Sequence, residues 1–345
     1  MTDARLPLVS VIILNHNGRH LISECLDALF QGAYRNTEVI VVDNGSTDGS
    51  VGFLREQYFG RIRLIENSRN LGFAEGNNLG FAAASGGYVA LLNNDAVAGP
   101  LWLEELVSAA LSSGPACGMW ASKILFHDDP GRLDTAGHLI YPDGLNRGRG
   151  KNEPDRGQYD VREEVFFPSG CAALYRKEAV DLVGGFDPDF FAYGDDTDLG
   201  LKIRLAGWSC EYVPTAVVYH RSSSTSGIYS SFKAYLVERN RIWVLIKYFP
   251  PRAILASVYY TFLRHVLQAY GALTGAGAAG RFVEGSSRSE LMKVLCRAYR
   301  DALRMLPRML QKRRAFREHI RVKNSVFYGW LRRYRISARE IALKD

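Results

Sequence analysis

Cysteine is scarce in this chain and carries no metal-binding spacing. The five cysteines among 345 residues, Cys25, Cys117, Cys171, Cys210 and Cys296, form no CxxC pair and leave an odd count. That argues against a disulfide framework or a structural zinc site and fits reduced cysteines in a core. Long apolar runs are missing too. No uncharged apolar stretch reaches the roughly 18 residues that a membrane-spanning helix needs, and the best candidate, Ala253 to Leu263, is cut off by Arg264 and His265. The apolar run near the N-terminus is too short for a signal peptide and is followed by polar residues. No GxGxxG follows the first predicted strand, which excludes a dinucleotide-dependent oxidoreductase. The glycine-rich triphosphate loop of a nucleotidyltransferase is also absent, Asn15-His16-Asn17-Gly18 being a poor substitute. No internal repeat is evident, and no nucleic-acid partner is expected.

What is present is a globular composition, 47% hydrophobic and 23% charged, with a formal net charge of +7. The charge is unevenly placed. Up to His220 there are 18 Lys+Arg against 29 Asp+Glu, and from Arg221 onward 25 against 7. An acidic globular part joined to a basic tail suggests that the tail meets something anionic. Within the tail, Phe232–Tyr248 carries Arg239, Arg241 and Lys247 on a helical pattern, and Arg252–Leu273 and Ser289–Leu310 continue it. Trp243, Tyr259, Tyr260 and Tyr328 stand among the basic residues. The pattern favours helices lying on an anionic bilayer surface over a purely intramolecular helical subdomain.

Ahead of the tail, short β-branched runs alternate with helical segments. LVSVIIL (8–14) and EVIVV (38–42) flank a helix over 21–30. Strands are predicted at 62–66 and 88–92, with a helix over 74–85 between them. This repeat implies an open, mainly parallel sheet that binds ligands at the carboxyl ends of its strands. Polar loops stand at those ends: Asn15-His16-Asn17, Asp43-Asn44-Gly45-Ser46 and Asn93-Asn94-Asp95. Residues 126–164 show no clear periodicity and read as a long functional loop. Later elements are a helix over 198–206 and strands over 208–213 and 216–219, the last of which leads into His220.

Two acidic clusters carry the chemistry. Asp95 closes an apolar strand, where it can supply an oxygen to a divalent cation, and His220, at the end of another strand, can supply a nitrogen. An imidazole ligand tilts the choice toward Mn2+, with Mg2+ still open. Asp195-Asp196-Thr197-Asp198 opens a helix, and Asp196 is placed to act as a general base on a hydroxyl. Carboxylate crowding would raise its pKa, while the helix dipole would lower it.

These residues belong to a longer set. VSVIILNHNG, EVIVVDNGSTDGS, NLGFAEGNN, YVALLNNDA and FPSGCAALYRKEAVDLVGGFDPDFFAYGDDTDLGLKIRLAGW, followed by VYH, occur in order from Val9 to His220. Together they resemble family 2 glycosyltransferases of the GT-A fold, and more narrowly a bacterial rhamnosyltransferase-like branch. The resemblance implies an inverting, metal-dependent sugar transfer from a nucleotide donor, with dTDP-L-rhamnose as the suggested donor. The expected acceptor is a glycan or lipid-linked oligosaccharide in cell-surface polysaccharide synthesis.

It also implies roles for individual residues. Asp43 would read the base, and Asn15, Asn17, Asn70, Gly72, Asn77, Asn93 and Asn94 would complete the nucleotide-sugar site. Asp95 and His220 would bind the metal. Asp196 would be the base with Asp195 beside it, and Gly170, Tyr193 and Trp208 would face the acceptor. Asn93 stands where many relatives carry an Asp, a departure expected to weaken metal binding. It keeps open a second expectation, that of a weakened transferase-like subunit acting as a binding or assembly partner. The expected layout is a catalytic domain over 1–226, divided near residue 98 into nucleotide and acceptor halves, and a basic helical region over 227–345. The expected location is cytoplasmic, peripheral at the inner face of the membrane, with the oligomeric state open.

Overall fold

The computed structural model describes residues 6–221, 230–285 and 287–344; the expected domain boundary at residue 226 lies outside them. The strands are β1 (Val9–Asn15), β2 (Thr37–Asp43), β3 (Arg63–Glu66), β4 (Tyr88–Leu92), β5 (Ala96–Ala98), β6 (Cys117–Phe126), β7 (Leu133–Thr135), β8 (His138–Ile140), β9 (Asn146–Gly148), β10 (Glu163–Val165), β11 (Ala172–Arg176) and β12 (Ser209–His220). The helices of the α/β part are α1 (Ile22–Gln31), α2 (Ser50–Gln57), α3 (Gly72–Ala83), α4 (Trp102–Ser112), α5 (Lys177–Val183) and α6 (Asp195–Leu205). The tail adds α7 (Ser231–Tyr248), α8 (Pro251–Thr274), α9 (Gly277–Gly285), α10 (Arg288–Arg304), α11 (Leu306–Phe316), α12 (Asn324–Arg333) and α13 (Ala338–Leu343).

The central sheet runs β10-β12-β6-β11-β4-β1-β2-β3. Strands β3, β2, β1 and β4 are parallel, β11 is antiparallel to both neighbours, and β6 and β12 are again parallel to each other. The apolar runs have their cause in two-sided burial. Val9, Val11 and Ile13 of β1 pack into one core with α1 and α4, while Ile12 faces the other core with α3 and α6. Successive side chains point to opposite faces of a strand, so a single run fills both cores.

Three expectations need correction here. The segment 126–164 is not one loop, because Phe126 ends β6 and the short strands β7, β8 and β9 fold beneath the site. The two strands expected around Pro214 form one, β12, whose register slips between Val213 and Val217. Proline has no N–H for the ladder, which accounts for the slip. Cys296 is exposed, whereas the other four cysteines are buried.

The basic tail is the largest departure. Trp243, Arg241 and Lys247 of α7, read from composition as bilayer-facing, are buried instead. The Nζ of Lys247 donates to Asp187 at 2.6 Å and also to Asp198, which accepts from the Tyr248 hydroxyl as well. Next to it, α8 is turned inside out. Its Arg264, 0% exposed, bridges Asp143 at 2.7 Å and Glu238 at 2.6 Å. Its opposite face presents Leu255, Val258, Tyr259, Phe262, Tyr270 and Leu273 outward. Arg264→Met is expected to cost about 3–5 kcal/mol, because two buried carboxylates lose their main partner. A urea titration would show this as a lowered midpoint; an unchanged midpoint would mean that the cluster is not what holds α8.

Candidate active site

Every strand that ends at the polar edge of the sheet delivers part of one cleft. Its volume is about 1550 Å³, and its lining includes Asn70, Gly72, Asn93, Asn94, Asp95, Gly170, Tyr193, Asp195, Asp196 and His220. Residues expected from separate parts of the chain thus converge.

At the donor end, Asn94 Nδ2 donates to Asn15 Oδ1 at 2.8 Å, and Asn15 Nδ2 donates to Asp43 Oδ2 at 2.9 Å. The other Asp43 oxygen accepts the Ser46 N–H at 2.8 Å. Asn15 and Asp43 are therefore adjacent but fully buried behind the lining. Asn17 and Asn77 are not brought to the cleft. Asn17 adopts φ +51° and accepts from the Thr47 N–H, while Asn77 bonds its own helix at Phe73 O. Trp208 is a clear miss. It precedes β12 at the end opposite His220, packs over Gly118 and stacks near Arg176. Asn44, which the sequence reading did not single out, ties the donor loop together. Its amide donates to Asn70 Oδ1 and Gly72 O, both at 3.0 Å, and its oxygen accepts from Asn67 and from the Leu71 N–H. Gly72 needs φ +84° here, and a Cβ would lie 2.5 Å from Phe191 O.

At the floor, His220 Nε2 lies 3.3 Å from Asp95 Oδ1, and His220 Nδ1 lies 2.6 Å from Asp134 Oδ2. Asp134, on β7, also pairs with Lys151. Burial alone would keep His220 neutral, but Cys171, Asp134 and Asp95 outweigh it and hold its pKa well above the ordinary value. Burial would raise Asp134, yet His220 and Lys151 hold it below the usual carboxylate range. Asp134 fell inside the segment read as loop. Only its position in the short run Leu133-Asp134-Thr135 hints at a strand.

The donor set suits a divalent cation. Asp95 offers a carboxylate oxygen and His220 an imidazole nitrogen, and a carboxylate on the other ring nitrogen fixes the tautomer, as is usual for a metal-bound histidine. Among the described residues no three such groups gather as a closed metal site. The remaining positions would fall to diphosphate and water, as is common for Mg2+ and similar hard ions.

On the facing wall, α6 begins at Asp195, three residues earlier than its sequence pattern suggests. Asp196 Oδ1 accepts the Gly170 N–H at 3.1 Å, and its other oxygen is 4.0 Å from His138 Nε2. Burial pushes the Asp196 pKa up to about 6, against the opposing Gly170 hydrogen bond. Burial and the charge on Asp196 raise Asp195 well above its ordinary value. His138, stacked on Phe167 at 5.2 Å, is pushed down to about 4 by burial and so stays neutral beside the base. Asp198, the third carboxylate of the cluster, is structural and held low by Lys202 and Lys247 despite its burial.

The turn before α6 is strained. Phe191 has φ +66° and ψ −65°, and the Ala192 N–H closes onto Phe190 O at 2.8 Å. This is the rare γ-turn of positive φ. Tyr193 and Gly194 also have positive φ. Asn240 of α7 holds the turn, its Nδ2 lying 3.0, 2.9 and 2.6 Å from the carbonyls of Phe190, Ala192 and Tyr193. Asn240→Ala removes one hydrogen bond from each of the three carbonyls and lets the turn relax. Expected is a fall in kcat of about tenfold or more with nucleotide affinity unchanged, since misplacement of a catalytic group costs rate before binding. Steady-state kinetics beside nucleotide titration would check this, and equal losses in both would contradict it.

The glycosyl transferase family 2 model matches residues 10–184, half of the chain, and a family group 2 model matches residues 152–283. The chain belongs to glycosyl transferase family 2. Among relatives of this transferase, the N-acetylglucosaminyl-diphospho-decaprenol L-rhamnosyltransferase of Mycobacterium tuberculosis is 32% identical over 251 residues, 66% of this chain and 79% of that protein. The O-antigen biosynthesis protein RfbC of Myxococcus xanthus is 31% identical over 233 residues, 63% of this chain but 18% of its own length. The y4gI protein of Sinorhizobium fredii, 29% identical over 243 residues, is likewise spanned for only 25% of its length. Solved structures confirm the GT-A fold of the transferase. GalNAc-T7 with UDP, GalNAc and Mn2+ matches at a TM-score of 0.59 and 17% identity, covering 84% of this chain and 57% of that one. Staphylococcus aureus TarS 1–349 in complex with UDP matches at a TM-score of 0.51 and 17% identity, covering 93% of this chain and 91% of that one.

Proposed function

We propose that this glycosyltransferase moves L-rhamnose from dTDP-L-rhamnose to a hydroxyl of a glycan or lipid-linked oligosaccharide in cell-surface polysaccharide synthesis, with inversion. The observation that carries the reaction class is the placing of Asp196 in the same cleft as the Asp95–His220–Asp134 chain. The mycobacterial rhamnosyltransferase supports the choice of sugar.

Asp196 takes the proton of the acceptor hydroxyl as that oxygen attacks the anomeric carbon. The bond from that carbon to the diphosphate oxygen breaks, and the nucleoside diphosphate leaves on the opposite face. No enzyme nucleophile enters, so configuration inverts. Gly170 N–H orients the Asp196 carboxylate, and His138, kept neutral by burial, adds no positive charge beside it. Asp95 and His220 would hold Mn2+ or Mg2+, which when bound offsets the charge growing on the departing diphosphate. Asp134 keeps the His220 ring turned toward Asp95.

Docking at an anionic membrane, on the cytoplasmic face, fits the outward apolar face of α8 within a strongly basic tail. No helix among the described residues is long and apolar enough to cross a membrane. Sedimentation with phosphatidylglycerol vesicles at low salt should carry the protein down; a wholly soluble fraction would rule out this docking. A second reading, a transferase-like binding subunit, is favoured by Asn93, which offers an amide where a carboxylate would help hold a cation. A panel of nucleotide sugars, followed by NMR of the anomeric product, tests the donor. Turnover confined to dTDP-rhamnose, with inverted product, is expected. Preference for a UDP- or GDP-sugar would overturn the donor assignment.

A further inference from the structure

The cleft is longer than a nucleotide sugar needs, and its chemistry changes along its length. Its lining also includes Lys151, which pairs with Asp134, and Lys233, whose Nζ lies 5.3 Å from the centre of the Tyr193 ring. Next comes a polar belt in which His265 bonds Tyr299 at 2.9 Å and Gln268 at 3.0 Å. Beyond the belt the same cavity continues between α8, α9 and α10, where its walls include Ala272, Leu273, Phe282, Leu291 and Leu295, with Arg288 the charged residue at the start of α10. Leu273 is both a wall of this lobe and a member of the outward apolar face of α8, so the lobe opens onto that face. Cations near the carboxylates, a polar belt and then an apolar lobe form the negative image of an anionic amphiphile.

We propose that the α8–α9–α10 lobe binds the hydrocarbon chain of the acceptor, a prenyl- or alkyl-type lipid joined through phosphate, with the phosphate near Lys233 and the sugar hydroxyl at Asp196. This rests on the acceptor reading above and adds to it a lipid site and an entry route. The lipid enters sideways from the outward face of α8, which leaves the donor end of the cleft clear.

Cys296 supplies a readout that needs neither donor nor turnover. It lines the lobe and is exposed, whereas the other four cysteines are buried. Its alkylation by a maleimide would be timed on the full chain, with geranylgeranyl phosphate below its micelle-forming concentration and with butyl phosphate as the short control. At about ten times its Kd the long-chain phosphate fills about nine tenths of the sites, so alkylation should slow about tenfold. Butyl phosphate should leave the rate unchanged. Leu295→Glu places a charge in the lobe and should abolish the protection; Ala272→Phe, which fills space without adding charge, serves if the first variant does not fold by circular dichroism. An unchanged alkylation rate in the parent would overturn the site, as would protection only above the micelle threshold or protection that survives in a folded variant. Donor turnover is untouched by any of these outcomes, so a failed lipid site and a failed transferase reading remain distinguishable.

Discussion

Asp196→Asn is expected to lower kcat/KM for sugar transfer by about 10²–10⁴-fold, the usual worth of a general base, with nucleotide affinity unchanged. The amide is nearly isosteric and can still accept the Gly170 N–H, so the wall keeps its shape and only proton acceptance is lost. In the parent the base works deprotonated. With a pKa pushed up to about 6, kcat/KM should be level above neutrality and fall about tenfold per pH unit below that value. In Asp196→Asn this acid limb should vanish. A variant with parental rate, or one that retains the limb, would assign the proton to another group.

Asp95→Ala should lower transfer by about 10²–10³-fold, because a bound cation at a leaving diphosphate supplies several kcal/mol of stabilisation. The concentration of Mn2+ needed for half-activation should rise with it. Asp134→Asn should act more weakly, by about 10–100-fold in metal affinity, since it loosens His220 without removing a ligand. This ordering separates a metal role from simple damage. Mn2+ titration by electron paramagnetic resonance would read it, and equal affinities across parent and both variants would contradict the assignment of Asp95 and His220.

Much of this site was legible because ligands at the carboxyl ends of parallel strands leave a local trace. Asp95 and His220 each close an apolar run, and Asp196 opens a helix beside glycine, so their positions follow from patterns a few residues long. Asp134, His138 and Asn240 leave no such trace. They reach the site only through long-range packing: β7 against β6, His138 on Phe167, and α7 across the turn at Phe191. Trp208, expected on the acceptor side from the resemblance, lies instead beyond the C-terminal end of α6, at the end of β12 opposite His220.

The tail shows the other limit. Composition reveals that α7 and α8 mix basic and apolar residues but not which face is covered. Lys247 is drawn inward by Asp187 and Asp198, and Arg264 by Asp143 and Glu238. Those acidic partners lie roughly fifty to a hundred and twenty residues upstream for Lys247 and Arg264 toward Asp143, and only 26 for Glu238. The outward apolar face of α8 is what their pairing leaves behind.

Release of dTDP from dTDP-rhamnose by the unaltered chain, followed with Mn2+ and again with a chelator, is the most direct test that this cleft transfers a sugar. Release that requires Mn2+ and quickens with acceptor is the expected result. A chain that binds dTDP yet consumes neither this donor nor any other nucleotide sugar, with either Mn2+ or Mg2+, would contradict it and leave the binding-subunit reading that Asn93 suggests.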